Sequence, residues 1–239
     1  MSQPELSVIV LAYNEAENLE RVLGDLKEFL ADYEPHAEII LVDDGSTDRT
    51  YEVAKECLRP DQDQLLQHDR NRGMGAGLKT GVSAARGTWV TFLPADGQIY
   101  PQAIYTLRKA ARDHDADVVF SVYENRDDGL MRKVLSTGVR SLIWLTHGQR
   151  LQSDGPYLFK RSLFIPEQLP SDSFFINFEF PIGALRAGLK TAVVRIPCRP
   201  RLAGHSKSAR AAVIVRVGRE LLSLRARRVR QVAAQYAAR

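Results

Sequence analysis

Four times in its first hundred residues this chain runs through a short apolar, β-branched stretch, stops at a polar cluster, and continues as an amphipathic helical pattern. LSVIVLAY (6 to 13) ends in Asn14-Glu15, and Leu19, Val22, Leu23, Leu26, Phe29 and Leu30 follow at helical spacing. EIILV (38 to 42) ends in DDGSTD, with a helical stretch from about Arg49. A weaker run, Leu65-Leu66-Gln67, precedes HDRNRGMGAG and a helix expected near Ala76. Thr88 to Leu93 ends in PADGQ, and Pro101 opens another helix before a further strand from Asp117 to Val122. Strands that alternate with helices build βαβ units, and continuous apolar strands are those covered on both faces. The expected fold class is therefore α/β, a mainly parallel central sheet with helices on both faces. Ligands of such sheets bind at the carboxyl ends of the strands, and all four polar clusters fall there.

Composition sets outer limits. The chain has 239 residues, 44% of them hydrophobic, enough for one α/β domain with a substantial core. Two cysteines, Cys57 and Cys198, lie far apart and fit a reducing compartment. The opening MSQPELSVIVLAYNE lacks the basic and long apolar regions of a signal peptide. No window approaches the ~18 uncharged apolar residues of a membrane span. The formal net charge is +4, yet residues 208 to 239 hold eight Arg and one Glu, so the basicity belongs to the tail and the remainder is net acidic. We therefore divide the chain into a domain over 1–207 and a basic helical tail over 208–239. Val213, Ile214, Val217, Leu221, Leu222 and Leu224 can share one face of that tail. Such a helix lies in a bilayer interface or packs on the domain or on a partner subunit, and the sequence leaves these open. The expected location is cytoplasmic, with peripheral contact to the inner face of a membrane. No aromatic interleaving or motif suggests nucleic acid.

The polar clusters carry the candidate chemistry. Asp43 and Asp44 follow a buried strand, where a carboxylate accepts hydrogen bonds from a base or a ribose; the plainer account is that Asp43 or Ser46 caps the next helix. The glycines at 73, 75 and 77 either turn backbone N–H groups toward an anion or allow a tight turn and close helix packing. Asp96 and Gln98, at i and i+2, can aim at one hard cation. Mg²⁺ or Mn²⁺ on a nucleotide diphosphate needs only one or two protein oxygens, because phosphates and waters supply the rest. Arg126, Arg132, Arg201 and Lys207 are cations in irregular segments suited to phosphate, whereas Arg140 and Arg186 read as solvated surface and His205 as a loop residue. Glu179, amid aromatics in FFINFEF, reads as a helix N-terminal charge or a carboxylate facing the site.

Taken in order, SVIVLAYNEAENL, EIILVDDGSTDRT, NRGMGAGLKTG, TFLPADGQIYP, the Arg126 region, SDGPYLFKR and RPRLAGHSKS resemble the family-2 glycosyltransferases of the GT-A fold, most closely the dolichol-phosphate mannosyltransferase-like branch. The resemblance covers roughly residues 6 to 208. It implies an inverting, metal-dependent transfer of one sugar from a GDP- or UDP-sugar to a polyprenyl or dolichyl phosphate, with Mg²⁺ or Mn²⁺ as cofactor. Leu11, Tyr13, Glu15, Val42 and Asp44 would contact the nucleotide. Ala95 and Asp96 would meet its diphosphate, Asp96 and Gln98 the metal. Arg126, Arg201 and Lys207 would hold phosphate groups, so that the catalytic set is Asp96, Arg126, Arg201 and Lys207.

The chain departs from that pattern twice. Pro94 stands where the first aspartate of an Asp-x-Asp pair belongs. Asp154-Gly155-Pro156-Tyr157 replaces a Ser-Gly-Phe-Arg run, putting a phenol in place of a cation near the acceptor. The Gln-x-x-Arg-Trp signature of processive synthases is absent, which favours single-sugar transfer. If the acceptor were instead a soluble glycan or small-molecule hydroxyl, a carboxylate base would be needed, and Asp154 and Glu179 are the candidates. A non-catalytic nucleotide-sugar-binding partner is the remaining alternative.

Overall fold

The computed structural model describes residues 3–124, 129–199 and 217–226, with backbone only for 129–136. Seven strands form one sheet: β1 (Leu6–Ala12), β2 (Glu38–Asp43), β3 (Gln64–Gln67), β4 (Trp89–Pro94), β5 (Val118–Tyr123), β6 (Leu158–Lys160) and β7 (Thr191–Ile196). Among the described residues, α1 (Ala16–Tyr33), α2 (Thr50–Cys57), α3 (Met74–Ala84), α4 (Gln102–Asp113), α5 (Gly129–His147) and α6 (Ile176–Arg186) accompany them, with a further helical segment over 217–226. The strand order is β3-β2-β1-β4-β6-β5-β7. Every pairing is parallel except those of β6, which runs antiparallel to both β4 and β5.

The alternation of side chains along each strand builds two cores. Val8 and Val10 of β1 join Leu19, Leu23, Leu26 and Leu30 of α1 and Ile104 and Leu107 of α4 on one face of the sheet. Ile9 turns the other way and packs with Ile40, Leu78 and Val82 over α3, in a cluster that extends to Phe92, Phe159 and Phe180 of α6. Burial on both faces is why β1 and β2 read as unbroken apolar runs rather than alternating ones. Glycine makes the second layer thin. A Cβ at Gly81 would stand 2.6 Å from Ile9 Cγ2, and one at Gly77 would stand 3.1 Å from Leu11 Cδ2, so α3 lies almost flat on β1 and β2.

Two sequence expectations change here. The irregular stretch after residue 124 contains β6, a three-residue strand too short for its pattern to register. Tyr157, just before it, turns into the core and is not among the residues that line the cavity described below. It is fully buried, 4.8 Å from the Phe92 ring in an edge contact and stacked at 5.4 Å on Phe180. Burial pushes its phenol well above the ordinary value of 10.0, and its hydroxyl has no hydrogen-bond partner. The phenol therefore presents no polar group to the cavity.

The described part of the tail, 217–226, is helical. Val217 and Leu221 are buried in a third cluster with Ile143, Phe175 and Ile182, while Leu222 is exposed. At these two positions the apolar face expected to meet a membrane or the domain meets the domain. Among the described residues no helix is long and apolar enough to cross a membrane.

Candidate active site

The sheet order reverses at β1: β2 and β3 lie to one side of it, and β4 and the later strands to the other. A crevice opens outside the carboxyl ends of strands at such a point, and a cavity of about 780 Å³ lies there. Leu11, Tyr13 and Glu15 reach it from the end of β1, Val42 and Asp44 from β2, and Ala95, Asp96 and Gln98 from β4. All eight residues expected at the nucleotide, the diphosphate and the metal thus line one cavity. Arg126, Arg201, Lys207 and His205 lie outside the described residues, as does the side chain of Arg132.

The wall at β1 and β2 is held by hydrogen bonds between neighbouring turns. Asn14 adopts φ 51°; its N–H donates to Ser46 Oγ (2.9 Å) and its Oδ1 accepts from Thr47 N (2.8 Å). Glu15 N donates to Thr50 Oγ1 (2.9 Å), and Glu15 Oε2 accepts from Asn18 Nδ2 (2.7 Å). Asp48 closes the join. Burial pushes its carboxyl up, but bonds from the Thr50 hydroxyl and N–H and from Ala16 N–H outweigh that and hold it below its ordinary value.

The two aspartates of DDGS have separate duties. Asp43 is fully buried and accepts from Ser46 N (3.0 Å) and Gln67 Nε2 (3.0 Å), closing the turn without lining the cavity or capping the helix. Asp44 lines the cavity and grips the next loop: Oδ1 accepts from Arg72 N (2.8 Å), Oδ2 from Gly73 N (2.8 Å), and His68 Nδ1 lies 2.7 Å from Oδ1. His68, a residue the sequence did not single out, is itself steadied by Thr80 Oγ1 at 3.0 Å. Gly45, at φ 68°, allows this, because a Cβ there would stand 2.3 Å from the Arg70 carbonyl carbon.

The glycine cluster serves packing. Gly75 N and Ala76 N both donate to the Asp172 carbonyl, at 2.9 and 3.2 Å. A Cβ at Gly75 would stand 2.6 Å from Ser171 O. The N–H groups of Gly75 and Ala76 are therefore spent on the 171–173 turn rather than turned toward an anion. Glu179 supports the same turn from α6. It is buried, accepts from Ser171 N (3.0 Å) and is not among the cavity residues.

Asp96 is 5% exposed at the cavity, and its Oδ1 accepts from Gln98 N (3.1 Å) across Gly97, which has φ 69°. No local pattern points to what fixes this turn from outside. Arg199 N donates to Gln98 O (3.0 Å), its Nε donates to Gly97 O, and its guanidinium lies 4.5 Å over the Tyr100 ring and 3.2 Å from Asp25 Oδ2. Among the described residues no three His, Cys, Asp or Glu side chains cluster to form a complete metal site. An all-oxygen pair such as Asp96 and the Gln98 amide suits a hard divalent cation whose other ligands come from a diphosphate and water.

The far wall comprises Tyr123 at the end of β5 and Asp154, Gly155 and Pro156 before β6. Asp154 is ion-paired with Arg140 of α5, which is exposed, as its sequence position implied, and reaches the cavity wall through this contact. Met74 of α3, Asn177 of α6 and Phe174 just before α6 also line it. Their positions could not be read locally, because each depends on α6 reaching α3 from far along the chain.

Comparison with known proteins agrees with this geometry. The profile described as Glycosyl transferase family 2 matches residues 7–193. An undecaprenyl-phosphate 4-deoxy-4-formamido-L-arabinose transferase from Photorhabdus laumondii is 31% identical over 212 residues, covering 85% of this chain and 62% of that protein. Glycosyltransferase GlyG from Streptococcus pneumoniae is 34% identical over 124 residues, covering 52% of this chain and 40% of its own length. The chain thus spans less than two thirds of these relatives. Among solved structures, glucosyl-3-phosphoglycerate synthase from Mycobacterium tuberculosis, in complex with Mn²⁺, uridine-diphosphate-glucose and phosphoglyceric acid, superposes with a TM-score of 0.74 at 24% identity, covering 93% of this chain and 80% of that one. The same synthase with Mg²⁺ and uridine diphosphate gives 0.73 at 22% identity, covering 92% of this chain and 79% of that one. The shared architecture is the GT-A fold.

Proposed function

The chain belongs to glycosyl transferase family 2, and on that premise we propose that it moves one sugar from a nucleotide diphosphate sugar to a polyprenyl phosphate, with inversion at the anomeric carbon. The observation that carries the donor reading is the convergence of Leu11, Tyr13, Glu15, Val42, Asp44, Ala95, Asp96 and Gln98 on one cavity. The acceptor reading rests on relatives named for undecaprenyl phosphate.

In this reading the nucleoside lies against the β1 and β2 ends, where Asp44 and its bonded loop form a fixed polar edge. The diphosphate lies over Ala95 and Asp96. Asp96 and the Gln98 amide oxygen would hold Mg²⁺ or Mn²⁺, which when bound supplies charge to offset what develops on the departing diphosphate. Arg199 keeps the turn carrying both residues from shifting. The acceptor phosphate oxygen forms the new bond to the anomeric carbon as the bond from that carbon to the nucleoside diphosphate oxygen breaks, and the pair of electrons leaves with the diphosphate. A phosphate oxygen is already anionic at pH 7, so no general base is required. Arg126, Arg201 and Lys207 are the cations proposed for the two phosphate groups.

Asp154 supports a second reading. It is a carboxylate at the cavity wall and could take the proton of a hydroxyl acceptor, a role for which Glu179 is badly placed. The deciding experiment incubates the chain with labelled UDP- and GDP-sugars, Mn²⁺ or Mg²⁺, and undecaprenyl phosphate, and counts label in the organic phase. Metal-dependent label there is the expected result. Label only on added soluble hydroxyl acceptors would favour the Asp154 reading. Nucleotide binding with no transfer to either would favour a non-catalytic partner.

A further inference from the structure

The cavity wall holds a polar side chain whose bonding capacity is largely unspent. Asn177 lines the cavity from the first turn of α6. Its Oδ1 is buried without a hydrogen-bond partner, and the partner of its Nδ2 is the Met74 thioether at 3.2 Å. A thioether is a weak acceptor. A buried polar group left unsatisfied costs about 1–3 kcal/mol, and such a group at a cavity wall is explained when a ligand supplies the missing bond.

The position of Asn177 along the sheet says which part of a ligand that would be. α3 lies over β1 and β2, with Gly77 against Leu11 and Val42. α6 lies over β4 and β6: Phe180 stacks on Tyr157 and meets Phe159 at 5.0 Å, and Tyr157 meets Phe92 of β4. Asn177 is one turn before Phe180 and touches Met74, the first residue of α3. It therefore stands between the nucleoside end of the cavity at β1 and β2 and the far wall at Asp154 to Pro156. Asp96 closes the same middle stretch from the sheet side. Between a nucleoside diphosphate and an acceptor lies the group being transferred.

We propose that Asn177 is a specificity-determining residue that reads a hydroxyl or acylamino substituent of the transferred sugar through its side-chain amide. The inference rests on the donor reading above and deepens it. An amide both donates and accepts, so it matches a hydroxyl or an acylamino group and leaves a deoxy position unpaired. A site built to bond such a group discriminates strongly against a ligand that lacks it.

The test is calorimetric binding with Mn²⁺ to wild type, Asn177→Leu and Asn177→Ala, using UDP, GDP, UDP-glucose, UDP-N-acetylglucosamine and GDP-mannose. In the wild type at least one sugar nucleotide should bind more tightly than its parent diphosphate. Both variants should lose about tenfold in affinity for that sugar nucleotide while UDP or GDP changes less than twofold. Asn177→Leu should also melt no lower than the wild type, because it removes an unsatisfied amide and keeps the branched shape of the side chain. Equal weakening of sugar nucleotide and parent, or no weakening of either, overturns the inference and leaves the donor reading standing. A wild type that gains nothing from any sugar overturns it as well. A wild type that binds no nucleotide at all overturns the donor reading and this inference with it.

Discussion

The two ends of the cavity are built differently. At the β1 and β2 end, three successive turns are bonded to one another: Asn14 to Ser46 and Thr47, Glu15 to Thr50, and Asp44 to Arg72, Gly73 and His68. At the β5 and β6 end, Asp154 and Gly155 hang from the Ser121 carbonyl, and Asp154 meets the partly exposed Arg140. Behind them lies an aromatic cluster rather than a polar network. The bonded end is preorganised, which lowers the ordering cost of binding. The other end is shaped by packing and closed by an ion pair that water screens. In the proposed reaction the nucleotide would sit at the first end and the acceptor at the second.

The largest expected effect tests where the two ends meet. Asp96→Asn should lower transfer by at least about 100-fold, as expected for loss of a group that stabilises charge in the transition state, with the melting temperature nearly unchanged. Undiminished turnover in the organic-phase assay would remove Asp96 from the site.

Gly75→Ala should break the link between α3 and the 171–173 turn. The new Cβ would meet backbone of Ser171 and Asp172 at 2.6 and 2.7 Å, for a cost of about 1–3 kcal/mol. The control is Gly24→Ala in α1, where nothing lies within 4 Å and the higher helix propensity of Ala should stabilise by about 1 kcal/mol. Denaturant titration separates the two. If both variants gain stability, the contact between α3 and the turn is not tight.

Glu38 tests the base of the bonded half by pH. Burial raises its pKa, but bonds from Ser7 Oγ, Arg86 N–H and guanidinium, and Gln64 outweigh that and leave it below the ordinary 4.5. A carboxyl whose folded pKa is depressed adds stability that is complete above the unfolded value and is lost as pH falls through the folded one. Thermal melts should therefore show a decline below about pH 4.5 that is shallower in Glu38→Gln. That variant should also lose about 1–3 kcal/mol at pH 7. Parallel curves for the two proteins would deny the carboxylate this role.

The smallest effect belongs to the packed end and has the opposite sign. Tyr157→Phe removes a buried hydroxyl with no partner and should stabilise by about 1 kcal/mol, or about 2–4 °C in melting temperature, with turnover unchanged. A loss of transfer would return the phenol to the acceptor site.

The α/β architecture and half of the cavity were legible in the sequence because both follow from local pattern. An apolar run that ends at a polar cluster places that cluster at a strand terminus, and a parallel sheet puts all such termini on one rim. Asp44, Asp96 and Gln98 could therefore be placed from the sequence alone. The tertiary structure decided what depends on distant segments meeting. It inserted β6 between β4 and β5, buried Tyr157 among Phe92, Phe159 and Phe180, gave the N–H groups of Gly75 and Ala76 to Asp172, and set Arg199 against the Asp96 turn. It also brought Asn177 of α6 to Met74 of α3 on one face of the sheet. No period or motif encodes these contacts, because each is fixed by how closely two surfaces far apart in the chain can pack.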